Sequence, residues 1–361
     1  MNVKHSLLAA ITGAIAATSI TTAATAGTIR HDRSDWQYRT LANRFLSVGS
    51  LSLRGPASSW NCSGTLIGSQ WLLTAAHCFE DSAAGNQYLR GGTFTLGGVS
   101  YSIVSGVKHR SWRASNRNWS QGFDLGLFRL SRSVWNAPAA SLFTGRNEDL
   151  QVGTYVGFGA TGTGITGYDR SFGTKRAGQN TIVLGNRFGY SNNLLMSDFD
   201  DPRLVNSAPS SRPVNLEYNI APGDSGGGLF IGGRLAGVNS FFDSNDGLTN
   251  ADYGDLSAAV RVSSFTYWIQ NVMRIGLPWG QYREASSPAS DTYSSSKSPS
   301  YNLLVEPGED DGLGEGELEE LVVYEDVDDY HATVPEPATI AGLLSVAGLL
   351  AISRRRKAAL N

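Results

Sequence analysis

Trp71-Leu72-Leu73-Thr74-Ala75-Ala76-His77-Cys78 and, far downstream, Gly223-Asp224-Ser225-Gly226-Gly227 are the two stretches that decide how this chain is read. A serine hydroxyl is a weak nucleophile at neutral pH and needs a base beside it. Glycines on both sides of Ser225 permit a tight turn and let a carbonyl group approach the backbone. The N–H groups of Gly223 and Ser225 can then converge on an oxyanion. His77 is the candidate base. Asp124, in Phe123-Asp124-Leu125-Gly126-Leu127, is the candidate third member that orients the imidazole. Asp81 and Asp149 compete as bare acids, but Asp81 is close to His77 in sequence and Asp149 lacks strand-like apolar flanks.

Around these motifs the chain is punctuated as an all-β protein. Short β-branched and aromatic runs, such as Trp71-Leu72-Leu73-Thr74, Thr93-Phe94-Thr95-Leu96 and Thr154-Tyr155-Val156-Gly157-Phe158, alternate with Gly, Asn, Ser and Asp. That rhythm suits a barrel or a sandwich. One helix is expected near the end of this region. Phe265, Trp268, Ile269 and Val272 recur at helical spacing, and Ser263 or Ser264 is placed to cap it.

From Ile29 to Met273 the sequence resembles the trypsin/chymotrypsin family of serine endopeptidases. The chain order His, Asp, Ser is that family's, and it differs from the subtilisin and α/β-hydrolase orders. The resemblance implies two antiparallel six-stranded β-barrels, over roughly 27–140 and 141–281, with a C-terminal helix. His77 and Asp124 would come from the first barrel and Ser225 from the second. It further implies a disulfide between Cys62, in Cys62-Ser63-Gly64-Thr65-Leu66-Ile67, and Cys78. These are the only two cysteines, and two buried free thiols are the alternative. The expected substrate is a protein or peptide. No cofactor or metal is implied; for the acidic Glu306–Asp329 run a weak calcium-binding role is the alternative to a solvated spacer, and no EF-hand-like ligand spacing supports it.

Several positions depart from the family. Asp224, the structural acid before the nucleophile, would there pair with a newly freed amine on Ile or Val. Here Thr28-Ile29-Arg30-His31 replaces the usual Ile-Val-Gly-Gly start. An arginine or a backbone N–H is an alternative partner for Asp224. The position six residues before the serine is Asn219, the expected floor of the specificity pocket, with Ser240 and Phe241 as its walls. Ile220, Ala221 and Pro222 replace a disulfide-bearing turn, so a shifted register at Asn219 is also open. A floor without an acid predicts no preference for Lys or Arg.

Charge and composition divide the remainder. From Gly27 to Gln281 there are 22 Lys/Arg against 17 Asp/Glu, with no basic cluster of the kind that binds nucleic acid. Residues 1–26 read as a signal peptide: Lys4, an apolar Leu7–Ala17 stretch, and Ala24-Thr25-Ala26 as the cleavage site. Residues 282–333 read as a flexible linker, rich in Ser and Pro and then acidic, with 12 acids and no base from Glu306 to Asp329. Residues 334–361 join Val334-Pro335-Glu336-Pro337, an apolar stretch from Ala338 to Ile352, and Arg354-Arg355-Arg356-Lys357. This tail resembles the PEP-CTERM sorting signal of bacterial exported proteins. That implies an exosortase-type sorting enzyme as partner, membrane contact only through a short hydrophobic helix, and delivery to the cell surface or beyond. Two other functions remain open on the residues alone: a binding protein on a dead protease fold, and an esterase using the same triad.

Overall fold

The computed structural model describes residues 27–204, 212–277 and 282–283. The expected signal peptide, almost all of the linker and the sorting tail lie outside the described residues.

The first sheet closes on itself. Its strands run in the order Val99–Lys108, Gly91–Leu96, Val48–Arg54, Ser59–Gly68, Trp71–Thr74 and Gly126–Leu130, and the last pairs back onto the first. Closure follows from alternation. In Val48–Arg54, Leu51 and Leu53 point into the core while Ser52 and Arg54 face out. Leu66, Leu72, Phe94, Tyr101 and Leu127 fill the interior. Tyr282–Arg283 adds a short parallel strand to Val99–Lys108, so pairing continues just past the expected boundary at 281.

The second sheet departs from the expected closed six-stranded barrel. It is an open run of seven strands: Arg176–Thr181, Val152–Gly157, Gly228–Ile231, Arg234–Asp243, Leu256–Arg261, Leu194–Asp198 and the two-residue Val183–Leu184. Beside it lies a four-stranded patch that includes Gly27–Ile29 and Tyr218–Asn219, with Thr28 opposite Asn219. The largest apolar cluster contains residues of both main sheets, Leu73 and Phe128 with Val238 and Val260. The motif-bearing turns emerge at this junction.

The C-terminal helix spans Thr266–Ile275, with Ile269 fully buried on its inner face. Its cap differs from the expectation. Phe265 occupies the N-cap with no side-chain bond, and Val262–Ser264 forms a 3₁₀ turn. The Ser263 hydroxyl donates instead to Glu148 Oε1 at 2.7 Å. Glu148 also receives a bidentate pair from Arg261, at 2.9 and 2.6 Å, and both side chains are buried. Burial alone would raise the Glu148 carboxyl, but the Arg261 and Ser263 bonds outweigh it and hold the group below its ordinary range.

Glu217 is the opposite case. Its buried carboxyl accepts from the N–H groups of Asp200 and Val214, and no ion pair to it is found among the described residues. Burial, aided by the nearby Asp200 charge, pushes it up to about 9. A group raised in the folded state contributes stability that is complete below its unfolded value and is lost as pH climbs through the folded one. The protein is therefore expected to lose stability relative to Glu217→Gln between about pH 5 and 9. Urea titrations of both proteins across that range check this; parallel curves would show that Glu217 stays ionised.

Candidate active site

His77 sits on a single 3₁₀ turn, Ala76–Phe79, directly after the Trp71–Thr74 strand. The disulfide joins Cys78 to Cys62 on the neighbouring Ser59–Gly68 strand, with Cα atoms 6.4 Å apart. Closing a loop of this size contributes about 3 kcal/mol in the chain-entropy picture, and it clamps the histidine turn. The sulfurs bind each other, so Cys62, His77 and Cys78 do not form a metal-ligand set.

Asp124 is fully buried at the entrance to the Gly126–Leu130 strand. Its Oδ1 accepts the His77 backbone N–H at 2.8 Å, and its Oδ2 lies 2.8 Å from His77 Nδ1. A third bond comes from Ser240 Oγ, 2.6 Å from Oδ2. Backbone and ring of His77 are thus fixed by one carboxylate, which favours the proton on Nδ1 and leaves Nε2 as the acceptor. The competing acids are engaged elsewhere. Asp81 accepts from Ala57, Ser58 and Ala83, while Asp149 pairs with Arg187.

Ser225 lies on the turn that leads into the Gly228–Ile231 strand. Gly223 and Gly226 have φ of +96° and +79°, a region that side chains disfavour. A Cβ on Gly226 would stand 2.0 Å from Thr74 Oγ1 and 2.4 Å from the Ser63 carbonyl. Only glycine allows the two sheets to approach this closely. Ser63 ties them further. Its N–H donates to the Ser225 carbonyl at 2.7 Å and its hydroxyl to the Gly223 carbonyl at 2.9 Å. The N–H groups of Gly223 and Ser225 donate to no protein acceptor among the described residues.

The Asp224 side chain is fully buried and does not line the cleft that Ser225 lines. It accepts from Gly159 N–H at 2.8 Å, Ala221 N–H at 3.0 Å and Tyr218 Oη at 3.0 Å. Of the partners left open by the sequence, backbone N–H groups are present, and a phenol joins them. Burial pushes the carboxyl up to about 6 despite these donors. Gly27 packs against the same phenol, where a Cβ would meet Tyr218 Oη at 2.0 Å.

His77 and Ser225 line one cleft of about 230 Å³ together with Trp119, Ile220, Ala221, Pro222, Ser240, Phe241 and Phe242. Asn219, expected as the floor, does not line it. It is buried one position behind Ile220, where its Oδ1 accepts from Ser257 Oγ. Ser257 Oγ in turn accepts the Ile220 N–H at 3.0 Å. Ser240 and Phe241 do line the cleft, and Ser240 additionally grips Asp124. Ser63, Tyr218 and Ser240's bond to the acid carry no sequence signal of their own.

The trypsin family model matches residues 37–269, which takes in both motif turns and most of both main sheets. The chain belongs to the trypsin family. Among curated relatives of this trypsin-family chain, serine protease SP24D of Anopheles gambiae is 28% identical over 229 residues, covering 62% of this chain and 74% of that protein. A chymotrypsin of Phaedon cochleariae is 26% identical over 231 residues, covering 59% and 72%. The solved structure of HL collagenase superposes with a TM-score of 0.50 at 18% identity, covering 70% of this chain and all of that one, which shows the shared fold. The family makes the protein a serine endopeptidase, a hydrolase acting on peptide bonds. A second model, the PEP-CTERM protein-sorting motif, matches residues 333–357. Among the described residues no helix is long and apolar enough to cross a membrane.

Proposed function

We propose that this chain is an exported endopeptidase in which Ser225 is the nucleophile, His77 the general base, Asp124 its orienting acid, and the Gly223 and Ser225 N–H groups the oxyanion donors. The observation that carries this is the His77–Asp124 pair at 2.8 Å, with His77 lining the same cleft as Ser225. Ser225 Oγ bonds to the substrate carbonyl carbon while its proton passes to His77 Nε2. The carbonyl oxygen becomes an oxyanion and receives the two free N–H groups. The C–N bond breaks as the same proton moves to the departing amine. Water repeats the sequence on the acyl-enzyme and releases a carboxylic acid and free Ser225. Asp124 keeps its charge throughout and stabilises the imidazolium. A fluorophosphonate probe tests the assignment. Labelling of wild type but not of Ser225→Ala supports it, and equal labelling of both overturns it.

Specificity follows from the cleft wall. Apart from His77, the lining carries no charged side chain, and Ile220, Ala221 and Pro222 present apolar atoms. A Lys or Arg entering it would lose water and gain no opposite charge. Cleavage after neutral residues is expected to exceed cleavage after Lys or Arg by on the order of 100-fold or more. Peptide-library profiling checks this; strict cleavage after basic residues would overturn it.

The PEP-CTERM motif supports surface delivery by an exosortase-type enzyme. Deleting residues 334–361 is expected to leave kcat/KM unchanged and to alter location in a host that has the sorting system. Fractionation of that host decides it: identical retention and processing of the truncated protein would overturn the sorting role.

A further inference from the structure

Residues 244–255 connect the Arg234–Asp243 strand, which carries the cleft wall, to the Leu256–Arg261 strand. Asp246, Asp252 and Asp255 in this loop can each present an oxygen so that all three lie within 4.8 Å of one another. No ion pair to any of the three is found among the described residues.

The clustering alone would be unremarkable on a surface loop. Burial makes it a site. Asp255 is 1% exposed. One of its oxygens accepts the Asn245 N–H at 3.1 Å, and Oδ2 is buried with no partner. Asp252 Oδ1 is likewise buried and unpartnered, while its Oδ2 accepts from Asn250 Nδ2 at 3.0 Å. Asn250 then leaves its own buried Oδ1 unpartnered. Asp246 commits Oδ1 to Ser244 Oγ and the Leu248 N–H, which leaves Oδ2 free at the exposed lip. Buried carboxylate oxygens without donors are expensive, and carboxylates this close repel each other. Every available donor is a hard oxygen, and no nitrogen or sulfur ligand competes. Such donors, on an irregular loop with one side open to water, suit calcium better than magnesium, which demands a near-ideal octahedron.

The geometry points to a calcium site formed by Asp246, Asp252 and Asp255, beside Asn250, whose Nδ2 donates to Asp252. A cation there supplies the partner that the unpaired oxygens lack. It also braces the loop that joins Phe242 of the cleft wall to Ser257, the residue behind Ile220. The spacing 246, 252, 255 matches no standard binding loop.

The test uses purified wild-type protein stripped with chelator and then titrated with calcium chloride alone. Calcium at about 100 times its dissociation constant is expected to raise Tm by on the order of 5–10 °C. Terbium should bind the same site, with luminescence that calcium displaces. Asp255→Asn and Asp246→Asn should each abolish both responses. Asp246 is exposed, so its replacement does not threaten folding and keeps the test decisive if Asp255→Asn misfolds. A wild-type Tm unmoved by 10-fold steps of calcium through the millimolar range overturns the site. So does an undiminished response in Asp246→Asn. Neither readout depends on hydrolysis, so the catalytic assignment stands or falls separately.

Discussion

Ser225→Ala is expected to lower kcat for peptide hydrolysis by about 10⁶ while leaving Tm unchanged. The hydroxyl supplies the atom that bonds to substrate, and nothing else in the cleft can replace it. Alanine keeps the Cβ and suits the same backbone. The turn itself is held by main-chain bonds: Ser63 N–H to the Ser225 carbonyl, and Gly226 N–H to the Asn239 carbonyl at 2.7 Å. The oxyanion donors and the cleft therefore survive, and a small residual rate over water should survive with them. His77→Ala should fall within about tenfold of the same loss, because members of such a set act as a unit. Steady-state kinetics on a peptide ester and on a peptide amide measure both. Full activity in Ser225→Ala would remove the serine mechanism altogether.

The largest expected effect on stability is at Glu148. Glu148→Ala should destabilise the protein by about 3–5 kcal/mol at neutral pH. The cost comes less from losing the pair than from stranding its partner. Arg261 would keep its charge in a buried position, with only the Arg146 carbonyl at 3.3 Å to accept from it. The Ser263 hydroxyl would lose its acceptor as well. A carboxyl held below its unfolded value contributes stability above that value, and the contribution is lost as pH falls through the folded one. Wild-type and Glu148→Ala curves should thus converge in acid, as pH falls below the ordinary carboxylate range. Replacing both partners, Glu148→Leu with Arg261→Met, should recover much of the loss. Urea unfolding measures all three variants; a single-mutant change below about 1 kcal/mol would mean that the pair is solvated.

What was legible in the sequence was local. The strand at Trp71–Thr74 and the turn around Ser225 announce themselves through neighbouring residues, since apolar alternation and glycine spacing act over a few positions. The strand that follows Asp124 is legible from its apolar residues for the same reason. What was not legible rests on single small polar side chains that meet across the fold. Ser240 reaches Asp124 from 116 residues away, and Ser63 reaches Gly223 across 160. A serine in a strand gives no hint of which distant acceptor it will find. The helix cap differs from the local expectation on the same grounds: Glu148, 115 residues upstream, outcompetes the local backbone for the Ser263 hydroxyl. Six positions before Ser225 lies Asn219, but sequence distance cannot show that Asn219 turns inward to Ser257 and leaves Ile220 at the surface of the cleft.

The burial of Asp224 against Tyr218 bears on when such a protein becomes competent. An acid that must wait for a freshly cut amine separates folding from activity in time, and so provides a latent form. Here both oxygens of Asp224 are satisfied by a phenol and two amides that belong to the folded sheet. Three donors of the folded sheet thus hold that carboxylate without a new amine. A carboxylate held in this way would tie readiness to folding rather than to a later cut, and restraint would then fall to the protein's surroundings and to any inhibitor that shares them.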